Sequence, residues 1–489
     1  MRLAVRNARL VLVVLVFASC DEDDGLGPSS IVETVAVVPG SFALIAGDSL
    51  QLTTIARGDI GNPLVGRTVT WESSAPAVAT VSASGMLKAI AAGAADITAA
   101  IEGKEGSALV TVSPLFASVT FASVTSGGAH TCAISTTGSA HCWGRGETGQ
   151  LGAPGPPTTC LAEQTFPCAL VPIPVGGGLA FKQLTGGGAH TCGLTTDGSA
   201  WCWGANPFGQ LGDSTITART APVAVETPVK FASLSAGVDH TCGLAESGGA
   251  WCWGRNNSGQ LGDGTVTNSP TPVQVNLPAG VLIMALSAGG MNRAFSCAMT
   301  DTGAVYCWGS NHRGQLGRGA RDFLPHPQPE PVTSTLTFTS LSMGSGDYAC
   351  GLTAAGTAYC WGAAGALGDG STTDAFLPVA VTAGLTFAHV TVGGFTEASH
   401  ACGLTTNGAA YCWGNNEVGS VGDGTTVLRP TPVAVGGGLT FASIDAGFRH
   451  TCGRTTAGAV YCWGSGRVGQ LGTNSRSSSA LPVKVLGQP

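Results

Sequence analysis

The chain has 489 residues, among them 74 glycines, 26 prolines and 17 cysteines, and a mean hydropathy of +0.27 that is too high for a disordered chain. The glycines follow no three-residue period, which excludes collagen. Net charge is -7, from 22 Lys+Arg against 29 Asp+Glu, and the basic residues form no patch, so nucleic acid is not an expected partner.

Arg2, Arg6 and Arg9 precede an apolar run over residues 10–17 that is too short to span a bilayer. The run ends Phe17-Ala18-Ser19-Cys20, and small residues before a cysteine resemble the lipobox of bacterial lipoproteins. Residues 1–19 therefore read as a lipoprotein signal peptide and Cys20 as the lipidated residue. The alternative is plain secretion with an incidental cysteine. Asp21, Glu22, Asp23 and Asp24 precede glycines and serines, so residues 20–30 read as an acidic flexible tether. The expected location is a bacterial cell envelope, lipid-anchored, at the outer membrane or cell surface rather than the cytoplasmic membrane.

Residues 31–113 have no cysteine and alternate with period two at Thr68-Val69-Thr70-Trp71 and again from Val78 to Ser82. Short strands between Pro39-Gly40, Ala46-Gly47-Asp48 and Ser84-Gly85 predict a small β-sandwich with Trp71 in its core. Val69-Thr70-Trp71-Glu72-Ser73-Ser74, Val78-Ala79-Thr80-Val81, and Ala92-Gly93-Ala94-Ala95-Asp96-Ile97 resemble the bacterial immunoglobulin-like group 2 domain. In that family the domain is often a stalk or spacer.

Residues 114–489 contain seven copies of a unit of about 53 residues. The unit reads Phe, His-Thr-Cys, a Gly turn, aromatic-Cys-Trp-Gly, Gly-Gln-Leu-Gly, then Pro-Val-x-Val, with variants in some copies. The first cysteines are Cys132, Cys192, Cys242, Cys297, Cys350, Cys402 and Cys452, and the second are Cys142, Cys202, Cys252, Cys307, Cys360, Cys412 and Cys462. Short strands without a helical period predict a four-stranded blade, and seven blades close a ring. The overall class is all-β: a seven-bladed β-propeller behind an immunoglobulin-like sandwich.

A turn at Thr136-Thr137-Gly138 pairs residue 134 with 140 and so sets Cys132 opposite Cys142, within disulfide reach. The same spacing holds in every unit and predicts seven intrablade disulfides. Cys160 and Cys168, inside an insertion in unit one, are expected to bridge each other. The tryptophans after the second cysteines alternate away from them and are expected in interblade packing. Histidines recur at 130, 190, 240, 400 and 450, with Phe295 and Tyr348 in the same place in units four and five. One histidine per blade around a ring assembles no compact metal site, so a structural role is expected.

His190-Thr191-Cys192-Gly193-Leu194, Trp203-Gly204 and Gly209-Gln210-Leu211-Gly212 resemble the regulator-of-chromosome-condensation repeat. The resemblance implies a seven-bladed propeller. The family's founder is a nuclear guanine-nucleotide exchange factor, an activity that the export signal, the disulfides and the acidic balance argue against here. A secreted bacterial relative inhibits β-lactamase by docking one propeller face.

Departures from the repeat mark the candidate binding loops: Arg293, Phe395, Glu397, Arg449 and Arg467. No hydrolase elbow, zinc helix or phosphate loop occurs. The expected function is an exported, lipid-anchored binding or scaffold protein that presents the propeller for protein–protein interaction, with an extracytoplasmic protein or glycan as partner and membrane contact through the N-terminal lipid. A carbohydrate-binding protein or polysaccharide-active enzyme is one alternative, and a structural envelope protein another. Neither cofactor nor metal is expected, and the chain is expected to be a monomer. The final Pro482-Val483-Lys484-Val485 has no unit after it, and Phe121 has no such element before it. The terminal strand is therefore expected to return beside residues 121–151 and complete blade one.

Overall fold

The structure is a computed structural model. It describes residues 31–489 except 47, 92, 114–117, 154–157, 161–165, 291–292, 345, 383 and 395–397. The proposed signal peptide, Cys20, the tether, Phe395 and Glu397 lie outside the described residues. Every α or β element described is a strand, and the chain divides into two compact units, ending at Ala117 and beginning at Ser118.

The first unit builds three sheets around one apolar cluster. Its four-stranded sheet pairs Lys104–Ser113 with Gly93–Ile101 antiparallel and with Ser41–Ile45 parallel. Val35, Val37, Leu87, Ile97 and Val110 point inward and are buried. Trp71 packs on this cluster but stays half-buried, because Thr70–Ser73 is the edge strand of its sheet. The expectation of Trp71 in the core is corrected to a half-buried side chain at the core's margin.

The second unit is a ring of seven antiparallel sheets. Blade two is representative: Phe181–Gly186, His190–Thr195, Ala200–Gly204 and Arg219–Ala224 follow one another from the inside of the ring outward. In blade one Ile134 pairs with Ala140 and Cys132 with Cys142, the register that the turn at Gly138 dictates. Gly138 takes a φ of 87°, which a side chain would resist. The repeated cysteines form seven disulfides, with Cα separations of 4.0–4.1 Å, and Cys160 joins Cys168.

A single blade cannot bury its own faces, so the core lies between blades. The cluster around blade one takes Phe181, Leu184 and Trp203 from blade two and Val460, Leu471 and Val485 from blade seven. The seven tryptophans that follow the second cysteines are all fully buried, and Trp203 Nε1 donates to the carbonyl of Gln150 in the preceding blade at 3.0 Å. The outer strands carry prolines such as Pro222, Pro272 and Pro432, which suit an edge because proline donates no ladder hydrogen bond.

The ring closes differently from the expectation. Blade one already has its own outer strand, Phe166–Pro174, and Ser479–Lys484 is the outer strand of blade seven, paired with Val460–Gly464. Among the described residues no strand is exchanged. The loops after Trp-Gly in blades two to six instead reach the outer strand of the next blade: Ser214 N donates to Pro270 O, and Gly424 N to Ala480 O. Blade seven does the same to blade one, with Asn474 N donating to Leu170 O at 2.9 Å. Arg454 Nε adds a bond to Phe121 O, and Val119 N one to Gly487 O.

Candidate functional site

Two rings of polar groups set the blades against each other, the first mostly half-buried around the central channel and the second fully buried. In the first, the residue opposite the first cysteine faces the central channel: Thr125, Thr185, Ser235, Ser287, Ser342, Thr391 and Asp445. Hydroxyls here accept a backbone N–H from the next blade, as Thr185 does from Ala236 at 3.0 Å. Asp445 alone is a carboxylate. It accepts from Ser126 N at 2.6 Å, Thr125 Oγ1 at 3.1 Å and Thr391 Oγ1 at 3.2 Å, tying blades six, seven and one together. Burial pushes its carboxyl up to about 6, and these hydrogen bonds pull the other way.

In the second ring, each histidine Nε2 meets a hydroxyl of the following blade. His130 meets Thr191 at 2.8 Å, His190 Thr241 at 2.9 Å, His240 Ser296 at 2.9 Å, His400 Thr451 at 2.8 Å and His450 Thr131 at 2.9 Å. The threonine hydroxyl is spent on a carbonyl, Thr191 to Gln150 O at 2.9 Å for one, so the imidazole must donate from Nε2. Desolvation holds these histidines down at about 3 to 4, hence neutral. Where Phe295 and Tyr348 replace histidine, the following blade supplies Ala349 and Ala401 instead of a hydroxyl. Tyr348 Oη reaches backbone carbonyls of blade six, Gly393 O and His400 O. These rings are scaffold. The half-buried aromatics at 201, 251, 306, 359, 411 and 461 behave alike, as Phe338 against Tyr359 illustrates.

The loops joining first to second and third to fourth strands all open at one end of the ring, termed here the loop face. The repeat breaks most on this face between blades four and six, around a groove of about 770 Å³. Arg293, Arg313, Arg321, Asp347 and Asp374 bring charge to it, His312 an imidazole, and Phe323 and Leu428 apolar surface. Asp374 lies 3.3 Å from Arg313 and 3.9 Å from Arg321, and it also accepts from Ala364 N at 2.9 Å. Asp347 is 3.3 Å from His312 Nε2 and holds a φ of 63°, left-handed for a residue with a side chain.

Of the residues singled out in the sequence, Arg293 lines this groove. Arg449 and Arg467 share the loop face but not the groove, and Arg449 stands 4.0 Å from Glu417. Sequence reasoning missed Arg313, Arg321 and Phe323. Their signal was present: the unit-four loop Asn311-His312-Arg313-Gly314-Gln315-Leu316-Gly317-Arg318 is far richer in arginine than its counterparts. Asp445 was equally legible as the one carboxylate among seven equivalent positions. Among the described residues, no group of three or more His, Cys, Asp or Glu is placed to hold a metal ion.

Residues 121–150, 181–210, 231–260, 290–315, 398–420 and 441–470 match the regulator of chromosome condensation (RCC1) repeat, as do 197–244, 247–295 and 457–489 by a second description of that repeat. Residues 31–112 match the bacterial Ig-like domain (group 2). Human E3 ubiquitin-protein ligase HERC2 is 27% identical over 318 residues, which is 64% of this chain but 5% of that protein. The ultraviolet-B receptor UVR8 of Arabidopsis thaliana is 30% identical over 323 residues, 64% of this chain and 57% of the receptor. The chain thus spans little of the ligase and little over half of the receptor.

Among solved structures, human WBSCR16 superposes with a TM-score of 0.61 at 19% identity, covering 71% of this chain and 93% of that one. Yeast RCC1 (Prp20), solved bound to Kap60, gives 0.59 at 20% identity, covering 76% and 85%. These relatives are eukaryotic, and this overturns the expected location in a bacterial cell envelope. The chain is a β-propeller of regulator-of-chromosome-condensation repeats preceded by an Ig-like domain of the bacterial group 2 type.

Proposed function

We propose that the chain is an exported, non-catalytic scaffold that presents the loop face of its propeller to a protein partner. One observation carries this reading: the ring is regular where blades meet, and the departures collect in loops at one end. Arg145, Arg255, Arg293, Arg313, Arg321 and Arg467 all lie there, whereas Lys182, Lys230 and Lys484 lie at the other end. Arginine is the cation enriched at protein interfaces, and lysine is depleted there. The yeast relative bound to Kap60 supports a binding role for the fold.

Export is the second part of the proposal. It rests on the apolar run over residues 10–17 and on eight disulfides, which persist in oxidising compartments. Acylation of Cys20 goes with it, and the intact mass of the mature protein tests both. A photo-reactive amino acid at Arg467 or Arg293, against one at Lys182 or Lys230, tests the surface in the producing cells. The expected result is a shared adduct from the loop-face positions alone. Adducts from Lys182 and Lys230 alone would overturn the reading.

A further inference from the structure

The sector from blade four to blade six departs from the repeat in three independent ways. Phe295 and Tyr348 interrupt the histidine ring, with Ala349 and Ala401 as their matched neighbours. The turn from Ala288 to Phe295 is longer than its counterpart from Ser126 to His130, and the turn from Val392 to His400 is longer still. The loop after Trp308 gathers Arg313, Arg318 and Arg321, then leaves Phe323 75% and Leu324 70% exposed. Blade packing asks for none of this. Trp308, Leu316 and Trp361 fill the interblade core here as their counterparts do elsewhere.

We propose that the groove between blades four and six binds an acidic segment of a protein partner, with its carboxylates on Arg293, Arg313 and Arg321. The inference rests on the loop-face reading and names its chemistry. Three guanidiniums face the groove against two carboxylates. Asp374 is already shared by Arg313, Arg321 and a backbone N–H. Asp347 is turned to His312. Arg293 is exposed and has no carboxylate within ion-pair distance among the described residues. Each guanidinium presents five N–H donors in a planar fork, a geometry that takes carboxylates two oxygens at a time.

The local excess of positive charge stands in a chain whose net charge is -7, so it is a local feature and not part of a basic track. A nucleic-acid strand needs such a track for affinity, which favours an acidic peptide. Exposed Phe323 and Leu428 give an apolar side chain in that peptide a surface beside the charges.

The test uses the full oxidised chain and three labelled probes: a decapeptide of glutamates with one central leucine, its lysine counterpart, and a ten-nucleotide thymidine strand. Fluorescence anisotropy should show binding of the glutamate peptide alone, weakening as salt rises. Arg293→Glu with Arg321→Glu should weaken it at least tenfold without changing the melting temperature. Arg449→Glu with Arg467→Glu should leave it unchanged.

Equal binding by wild type and the groove variant would overturn the proposal, as would preference for the thymidine strand or no binding of the glutamate peptide. Replacing Asp21, Glu22, Asp23 and Asp24 with asparagine or glutamine checks self-occupancy. A large gain in probe affinity would make the occupant this chain's own segment and overturn the partner; no gain supports it. If the loop-face adduct survives in the groove variant, the groove inference falls while the loop-face reading stands.

Discussion

The sharpest expectation concerns the His400–Thr451 pair between blades six and seven. Thr451 Oγ1 donates to Ser420 O at 3.0 Å while taking the His400 Nε2 proton at 2.8 Å. Thr451→Ala removes both bonds and leaves a buried N–H without an acceptor. The expected cost is about 3 kcal/mol, since a stranded buried donor costs about 1–3 kcal/mol and a lost bond about 1 kcal/mol. His400→Phe alone leaves the hydroxyl its bond to Ser420 O and should cost about 1.5 kcal/mol. The double variant recreates the Phe295–Ala349 pairing that the chain already uses between blades four and five.

Replacing both partners with apolar groups strands no imidazole donor, so the double loses only the bond to Ser420 O and some packing and should cost about 2 kcal/mol. The coupling is then about 2.5 kcal/mol, well beyond the 0.3–0.5 kcal/mol scatter of independent sites. Blade six is chosen because its turn, like that before Phe295, is long. At blade one the short turn gives no room: a Cβ at Gly127 would fall 2.2 Å from the His130 ring. Urea unfolding of the oxidised wild type, both singles and the double measures the cycle. Additive costs would refute the idea that imidazole and hydroxyl act as one unit.

Three further outcomes follow from the same geometry. The five buried histidines sit at about 3 to 4 against 6.5 unfolded, so the stability they contribute is full above pH 6.5 and falls as pH drops. Each should cost about 1.4 kcal/mol per pH unit inside that window, and pH-dependent unfolding with His400→Phe/Thr451→Ala as a reference should show a shallower acid slope. Asp445 has the opposite sign: with its carboxyl held at about 6 against 3.8, its contribution is greatest below about pH 4 and is lost as pH rises through 6. Asp445→Thr, the residue type of blades one, two and six, should therefore gain up to about 3 kcal/mol relative to wild type at pH 7 and little at pH 4. A carboxyl titrating near 4 by NMR would remove the basis for that expectation. Deleting residues 480–489 strips most of the outer strand of blade seven together with the Gly487 carbonyl that bonds Val119. Hydrogen exchange should rise first in Val460–Gly464; unchanged exchange there would contradict the assigned pairing.

The blade was legible because its register depends on three local features. The ten-residue cysteine spacing, the glycine at the turn and the apolar alternation all lie within about twenty residues, and local pairing leaves them little choice. Trp71 was misread for a related reason: alternation gives the face a residue occupies, not whether its strand is central or at an edge. The loop-face groove was only partly legible. Arg293 stood out as an insertion, but Asp347 and Asp374 come from blade five and meet the blade-four arginines only once the ring is assembled.

Ring closure was misread because a repeat in a sequence has no marked start. Beginning the unit at Phe121 left the terminal Pro-Val-x-Val without a successor, and exchanging a strand seemed needed to hide two edges. The structure joins them with side chains and a backbone bond. His450 on Thr131, Asp445 on Ser126, Trp143 Nε1 on Gln470 O and Asn474 on Leu170 repeat, at the junction of blades seven and one, the bonds that join the other regular blades. The sequence contained the information in another form. Thr131 of unit one follows His130 but is read by His450, so the hydroxyl in each His-Thr-Cys belongs functionally to the blade before it. The Phe295–Ala349 and Tyr348–Ala401 substitutions carry the same offset of one unit. A residue that changes in step with the preceding repeat reports an interface between repeats. Applied to Thr131, which has only unit seven to answer to, that rule closes the ring without any strand crossing it.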